Sequence, residues 1–175
     1  MFVLFAVAPG PMGLSNAGYG TLLASLGIGA LLGTWLAVPV ERRLGRARTL
    51  ALSVVLGAGS LIVPLVTANA VAVGASMVVG GLEIVLWNVI TVSLRQRISP
   101  DHLLGRVNAC YRLVGWGTMP LGALVGGLVA ETLGLRVVFA LAAGAVLVLL
   151  VGFRFVTESG IQRAEAAARA QEPTG

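Results

Sequence analysis

The sequence predicts an all-α, polytopic transmembrane helical bundle with five full spans and a short helical remnant before them. Three observations carry that prediction. Of 175 residues, 57% are hydrophobic and only 11% are charged, against roughly 25% charged residues in a soluble domain. The mean hydropathy is +0.95. The basic residues, all Arg with no Lys, fall in short clusters between long uncharged runs, as in loops held on one side of a membrane. An ordinary soluble domain and a disordered chain are thereby excluded. So is a nucleic-acid-binding module, although the net charge is +5.

Each element follows from the chain in order. Residues 1–9, Met-Phe-Val-Leu-Phe-Ala-Val-Ala-Pro, have no basic leader and fall short of the about 20 residues a span needs. They read as the remnant of a preceding transmembrane helix. Gly10 to Asn16 is a Gly/Pro/Asn loop. The first span runs from about Gly18 to Val38 and ends in the basic turn Glu41 to Arg48. The second runs from about Thr49 to Thr67, with an uncharged exit at Ala68-Asn69-Ala70. The third, about Val71 to Leu94, contains Glu83 and leads to a second basic loop, Arg95 to Arg106. The fourth runs from about Val107 to Ala130, and Glu131 to Arg136 forms a turn. The fifth runs from about Val137 to Val156. The spans thus make one domain, residues 10–156, followed by a polar tail, 157–175.

Arg therefore clusters in every second loop. The loops at 10–17, 68–70 and 131–136 hold only Arg136. The positive-inside rule puts the Arg-rich loops and the C-terminus in the cytoplasm. An echo runs through this pattern. Gly29-Ala30-Leu31-Leu32-Gly33 precedes Glu41 and Leu44-Gly45-Arg46; Gly122-Ala123-Leu124-Val125-Gly126 precedes Glu131 and Leu133-Gly134-Leu135-Arg136. The two spans cross in opposite directions, as inverted-topology repeats of transporters do. Both pentapeptides are also small-xxx-small faces that let helices approach closely, and chance remains an alternative in so Gly-rich a chain.

Further residues carry a family resemblance. Gly18-Tyr19-Gly20 opens a Gly-rich span that ends in Arg43-Leu44-Gly45-Arg46. Ser99-Pro100-Asp101-His102-Leu103-Leu104-Gly105-Arg106-Val107 leads into Tyr111-Arg112 and then Pro120-Leu121-Gly122. Over residues 14 to 156 the chain resembles the C-terminal half of a major facilitator superfamily transporter, closest in flavour to the enterobactin-exporter-like branch of bacterial efflux proteins. The resemblance implies about twelve spans in two halves, of which this chain supplies the last five, with Met1 to Ala8 the tail of the span before. It implies a bacterial inner-membrane location and an N-terminal half, or a second copy, as partner. It makes Arg42, Arg43, Gly45, Arg46, Gly105 and Arg106 cytoplasmic loop or gating candidates. The family's fuller turn is Gly-x-x-x-Asp-Arg-x-Gly-Arg; here Val38 stands at the Gly, Arg42 at the Asp, and Glu41 one place off.

Glu83 stands out as an acid inside an apolar span, where an ionised carboxylate costs about 2.5–3.5 kcal/mol or more. Trp87 and Thr91 follow at helical spacing, and Asn88 lies near the edge of that face. These residues are candidates for a substrate cavity or coupling path, Glu83 for proton coupling; the alternative is a carboxyl that holds two helices together. Arg112, with Asn108 and Trp116 on its face, either meets an anionic substrate or Glu83, or snorkels to the headgroups. Trp35 reads as an interface anchor, and Pro64 and Pro120 as helix kinks.

No enzyme signature is present: no Ser/His/Asp set, no His-Glu-x-x-His, no Walker motif. One cysteine, Cys110, and one histidine, His102, supply neither a disulfide nor a metal site, and no cofactor is expected. The function expected is alternating-access transport, a proton-coupled efflux of a small hydrophobic or siderophore-like molecule across the lipid bilayer. The alternative is a transport-inactive remnant or a non-transporting partner subunit.

Overall fold

The computed structural model describes residues 2–99, 101–153, 159–163 and 166. All regular structure among them is helical. A one-turn helix, α1 (Phe2–Ala6), precedes α2 (Asn16–Leu44), α3 (Arg46–Val66), α4 (Ala70–Ile98), α5 (Asp101–Gly117), α6 (Met119–Leu133) and α7 (Leu135–Phe153). Five of the resulting spans are long and apolar enough to cross a membrane, α5 and α6 together making one. In lipid every backbone N–H and C=O must be bonded within the segment, which leaves helix as the outcome for these runs.

The helices overrun the predicted spans. α2 and α4 each have 29 residues and are about 44 Å long, well beyond the about 30 Å of hydrocarbon. The predicted basic turn after the first span is therefore mostly helix. Glu41 to Leu44 form the last turn of α2, and Arg46 already begins α3. The charges stand in helix rather than loop, and Arg42 and Arg43 in the last turn of α2 complement its negative end. The second basic loop contracts in the same way, Arg95 and Arg97 belonging to α4. The predicted tail lies outside the described residues except for 159–163 and 166, and so does the predicted end of the fifth span beyond 153.

The predicted fourth span is not one helix. It breaks at Thr118, between α5 and α6, with Pro120 in the first turn of α6. Proline has no N–H to give back along the helix, so the ladder is interrupted one turn before it. Thr118 N still bonds Val114 O at 3.2 Å, and Gly122 N bonds Thr118 O at 2.9 Å, so the axis continues through the break. Pro64 produces no such break; α3 runs through it and ends at Val66.

Caps set the other starts. Ser15 Oγ accepts from Gly18 N at 3.2 Å to begin α2. Asn69 Oδ1 accepts from Val71 N at 2.9 Å and Ala72 N at 3.1 Å to begin α4. Gly45 and Gly134 both combine a helix end with a helix start. Their dihedrals match, φ 79° and ψ 167° against φ 91° and ψ 157°, a region open essentially to glycine alone. Each N–H bonds back four residues, to Glu41 O at 2.9 Å and Ala130 O at 3.1 Å. The echo read in the sequence thus extends to backbone geometry. Gly45→Ala is expected to destabilise the protein by about 1–3 kcal/mol, while Gly27→Ala, inside α2 with open space around it, should stabilise it by roughly 0.5–1 kcal/mol. Thermal unfolding of the two variants in detergent measures the difference.

Packing is uneven. α2 lies tightly along α4, and α3 fits between α4 and α7. The α2–α4 seam is built from glycines: a Cβ on Gly29 would lie 1.9 Å from Val78 O, and one on Gly81 2.0 Å from Leu26 O. The seam is capped by α1, which the intervening loop folds back through Ala8 N to Leu14 O and Leu14 N to Ala6 O. Phe5 and Ala6 are fully buried with Leu22 and Val73. The Phe5 ring meets Phe139 of α7 edge-on at 5.4 Å. By contrast, the fourth span has none of its residues buried. Trp35, the predicted anchor near the basic end of α2, is 81% exposed.

Candidate functional site

Between α3, α4 and α7 lies a cavity of about 430 Å³, whose lining includes Phe2 of α1 and Phe139 of α7, their rings edge-on at 6.3 Å. On α4 its wall is Ser76, Gly80, Glu83 and Trp87. Their spacing of four, three and four residues is one helix face. On α3 the wall includes Gly57, Ser60 and Pro64, again one face; α7 contributes Phe139, Val146 and Leu149.

Among the described residues Glu83 is the single ionisable group in this wall. Its carboxyl rests against α3 where Gly57 has no side chain; a Cβ there would lie 3.3 Å from Glu83 Cδ. Among the described residues no ion pair involves Glu83, the one present being Glu41–Arg46. The two hydroxyls in the wall are spent on their own helices. Ser60 Oγ donates to Gly57 O at 2.8 Å and Ser76 Oγ to Val73 O at 2.8 Å. The cavity therefore presents one carboxyl, aromatic rings and hydroxyl lone pairs within an apolar lining.

The structure brings together part of the predicted stripe. Glu83 and Trp87 line the cavity; Asn88, Thr91 and Arg112 do not. Asn88 is exposed and donates from Nδ2 to Ile84 O at 2.8 Å. Thr91 Oγ1 donates to Trp87 O at 2.7 Å. Arg112 is exposed on α5 and forms no ion pair with Glu83. The stripe extends from Glu83 toward the start of α4, through Gly80 and Ser76, instead of toward its end. Gly57, Ser60 and Ser76 were not singled out from the sequence. The signal was present as small residues at helical spacing, but small residues abound in this chain.

The basic candidates separate as well. Arg42 and Arg43 are exposed; Arg46 Nε donates to Glu41 Oε1 at 3.0 Å across the Gly45 turn. So the acid that stands one place off the family pattern closes the turn on itself. Gly105 and Arg106 lie in α5, exposed, with open space around Gly105. Arg95 does more than mark topology. Its Nη1 donates to Asn108 Oδ1 at 2.9 Å, its Nε to Thr91 O at 3.2 Å, and its guanidinium lies 3.9 Å from the Tyr111 ring centroid. That stack and hydrogen bond join α4 to the start of α5, the firmest contact the fourth span makes with α4.

A bundle of five helices long and apolar enough to cross a membrane, with a carboxyl-bearing cavity among them, has the make-up of a multi-pass membrane protein. The chain belongs to the transmembrane secretion effector family of major facilitator transporters, whose model matches residues 3–174. That is a transporter family, not an enzyme class. Neither a curated protein nor a solved structure matches the chain.

Proposed function

We propose that this chain works within a proton-coupled efflux permease of the bacterial inner membrane. In this reading it forms the C-terminal half of the permease, akin to the enterobactin-exporter-like branch, and expels a small hydrophobic or siderophore-like molecule by alternating access. The observation that carries the proposal is Glu83, a carboxyl in the wall of a half-open apolar cavity with Trp87 one turn away. A carboxyl at membrane depth is costly unless it serves an ion or substrate path, and it can both take up a proton and release it. The positive-inside pattern supports a cytoplasmic C-terminus. The test is transport by the assembled permease in everted vesicles. Acidifying the vesicle interior should drive accumulation of small hydrophobic dyes, and a protonophore should abolish it. Accumulation that ignores the protonophore overturns the coupling.

The exposed fourth span supports a partner for this half. Gly29 and Gly33 of α2 press against α4, whereas Gly122 of the matching pentapeptide has nothing near it and Gly126 meets only Val138 at 3.8 Å. If the echo is a structural repeat, the α6 pentapeptide takes a helix as its α2 counterpart takes α4. We assign that helix to the N-terminal half of the permease. Replacing Gly122 and Gly126 with Leu should leave the helix content of the isolated chain unchanged and block its assembly with that half. A homodimer of the isolated chain that the same substitutions dissolve makes a second copy the occupant instead.

A further inference from the structure

We infer that the Arg-bearing end of the bundle is a binding surface for anionic phospholipids, which it takes in preference to zwitterionic ones. The inference is independent of the cavity and of what the chain transports.

The fold gathers Arg residues that are far apart in the chain. Leu22 meets Gly74, Gly29 meets Val78, and Gly33 meets Leu82 and Val85, so α2 and α4 run side by side in one direction. Their last turns therefore end together, with Arg42 and Arg43 on one and Arg95 and Arg97 on the other. α3 starts from the same end, across Gly45, and α5 is held there by the bond from Arg95 to Asn108. Glu41 and Asp101 are the only acids in segments 41–48 and 95–106. Arg46 takes Glu41 at 3.0 Å, and Arg95 is engaged by Asn108 and Tyr111. Arg42, Arg43, Arg48, Arg97 and Arg106 are left exposed, and among the described residues no ion pair holds them. The loops at the opposite end carry only Glu131 and Arg136, whose charges cancel.

The chemistry of this end suits a phosphodiester. Every basic residue is Arg, and a guanidinium is a planar fork that binds a phosphate by two hydrogen bonds, where an ammonium acts as a point charge. The surface beside it suits the rest of a lipid. Leu31, Trp35, Val38 and Arg42 recur at helical spacing on one face of α2, and the first three are 69%, 81% and 50% exposed. That face is an apolar ladder with an indole in it, and its guanidinium follows about 10 Å further along the axis. An acyl chain covers the ladder, the indole lies beside the glycerol region, and Arg42 reaches the phosphate with its stem on the apolar surface. A free phosphate or an acidic protein segment would pair with the Arg residues and leave Leu31 and Trp35 uncovered. Charge then selects among lipids. Phosphatidylcholine brings its own cation to each phosphate, whereas phosphatidylglycerol leaves the phosphate charge to the protein. Each Arg near such a surface contributes about fivefold in affinity.

The test uses the full chain carrying Trp87→Phe and Trp116→Phe, which leaves Trp35 as the single indole. It is placed in vesicles of equal parts phosphatidylglycerol and phosphatidylcholine, with bromine on the acyl chains of one lipid or of the other. Bromine quenches an indole that it touches, so the two quenching levels report which lipid lies against Trp35. Phosphatidylglycerol should be in excess there by about fivefold or more. Arg42→Gln with Arg43→Gln should bring the two lipids close to parity, with helix content by circular dichroism unchanged. Arg136→Gln, at the opposite end, should leave the excess as it was. Equal quenching by the two lipids in the chain with all its Arg residues, as expected of charges that only set topology, overturns the assignment. So does an excess that survives Arg42→Gln with Arg43→Gln, or one that Arg136→Gln removes equally. Retention of polyglutamate by the chain, with no excess of phosphatidylglycerol at Trp35, makes an acidic protein segment the occupant instead and also overturns it.

Discussion

Glu83→Gln is expected to abolish proton-driven transport while leaving the protein at least as stable as before. The two halves of that expectation come from one geometry. Gln has the shape of Glu, so the cavity and the contact with Gly57 are kept. What disappears is the group that can gain and lose a proton. On the stability side, an ionised carboxylate in a span costs about 2.5–3.5 kcal/mol or more, and nothing visible in the structure offsets it. Among the described residues Glu83 makes no hydrogen bond or ion pair. Removing the charge therefore relieves a cost rather than breaking a bond.

The competing role, a carboxyl that holds helices together, predicts the reverse: lower stability and transport that falls only in proportion to the folded fraction. Thermal unfolding in detergent and vesicle uptake, measured on one preparation, separate the two. A Glu83→Gln protein that unfolds at lower temperature but still accumulates dye against a pH gradient would sink the coupling role. The same pair of measurements on Asn88→Ala should move neither quantity much, because Asn88 is exposed and bonds only its own helix.

How much of this was legible in the sequence follows from what each residue had to reveal. Five spans were legible because an uncharged run of about 20 residues has few alternatives in lipid. Their ends were not, because charge was read as loop. In a 29-residue helix, longer than the about 20 residues that cross the hydrocarbon, the charges at Glu41 to Arg43 and at Arg95 and Arg97 belong to the helix itself. The break at Thr118 was announced by Pro120, but Pro64 carried the same signal and left α3 intact. Pro64 withholds one bond, to Ser60 O, and the helix continues past it, Thr67 N still reaching Val63 O at 3.0 Å.

Glu83 and Trp87 were legible as a charge and a ring in an apolar run. The direction of their stripe was not. Helical period says which residues share a face, yet not which neighbouring helix covers which end of it. Ser76 and Gly80 face α3 and the cavity, while Asn88 faces outward, and only the placement of α3 and α7 decides that. The Arg95–Asn108–Tyr111 cluster was hidden for a related reason. It joins two helices, and no pattern within either one forecasts a stack between them.

Gly29→Ala carries the largest expected loss of stability. In general a helix gains from Gly→Ala, by roughly 0.5–1 kcal/mol, because alanine has less freedom to lose. That gain should appear at Gly122, where an added Cβ meets nothing within 4 Å. At Gly29 it is outweighed. The new Cβ would lie 1.9 Å from Val78 O and 2.9 Å from Val78 Cα, and those atoms are backbone, so no rotamer change can clear them. α2 and α4 must move apart. Overpacking of this kind costs about 1–3 kcal/mol or more, and separation also loosens Gly81 against Leu26 and Gly33 against Leu82 and Val85. The seam further supports Leu22 and Val73, on which Phe5 of α1 is seated. Loss should therefore reach the N-terminal plug and the Phe2–Phe139 wall of the cavity. Thermal unfolding of Gly29→Ala beside Gly122→Ala in the isolated chain tests this directly. A fall at the first and little change or a rise at the second is the expected pair. Equal shifts at both would mean that the two pentapeptides are packed alike, and the close α2–α4 contact would not be what holds this bundle together.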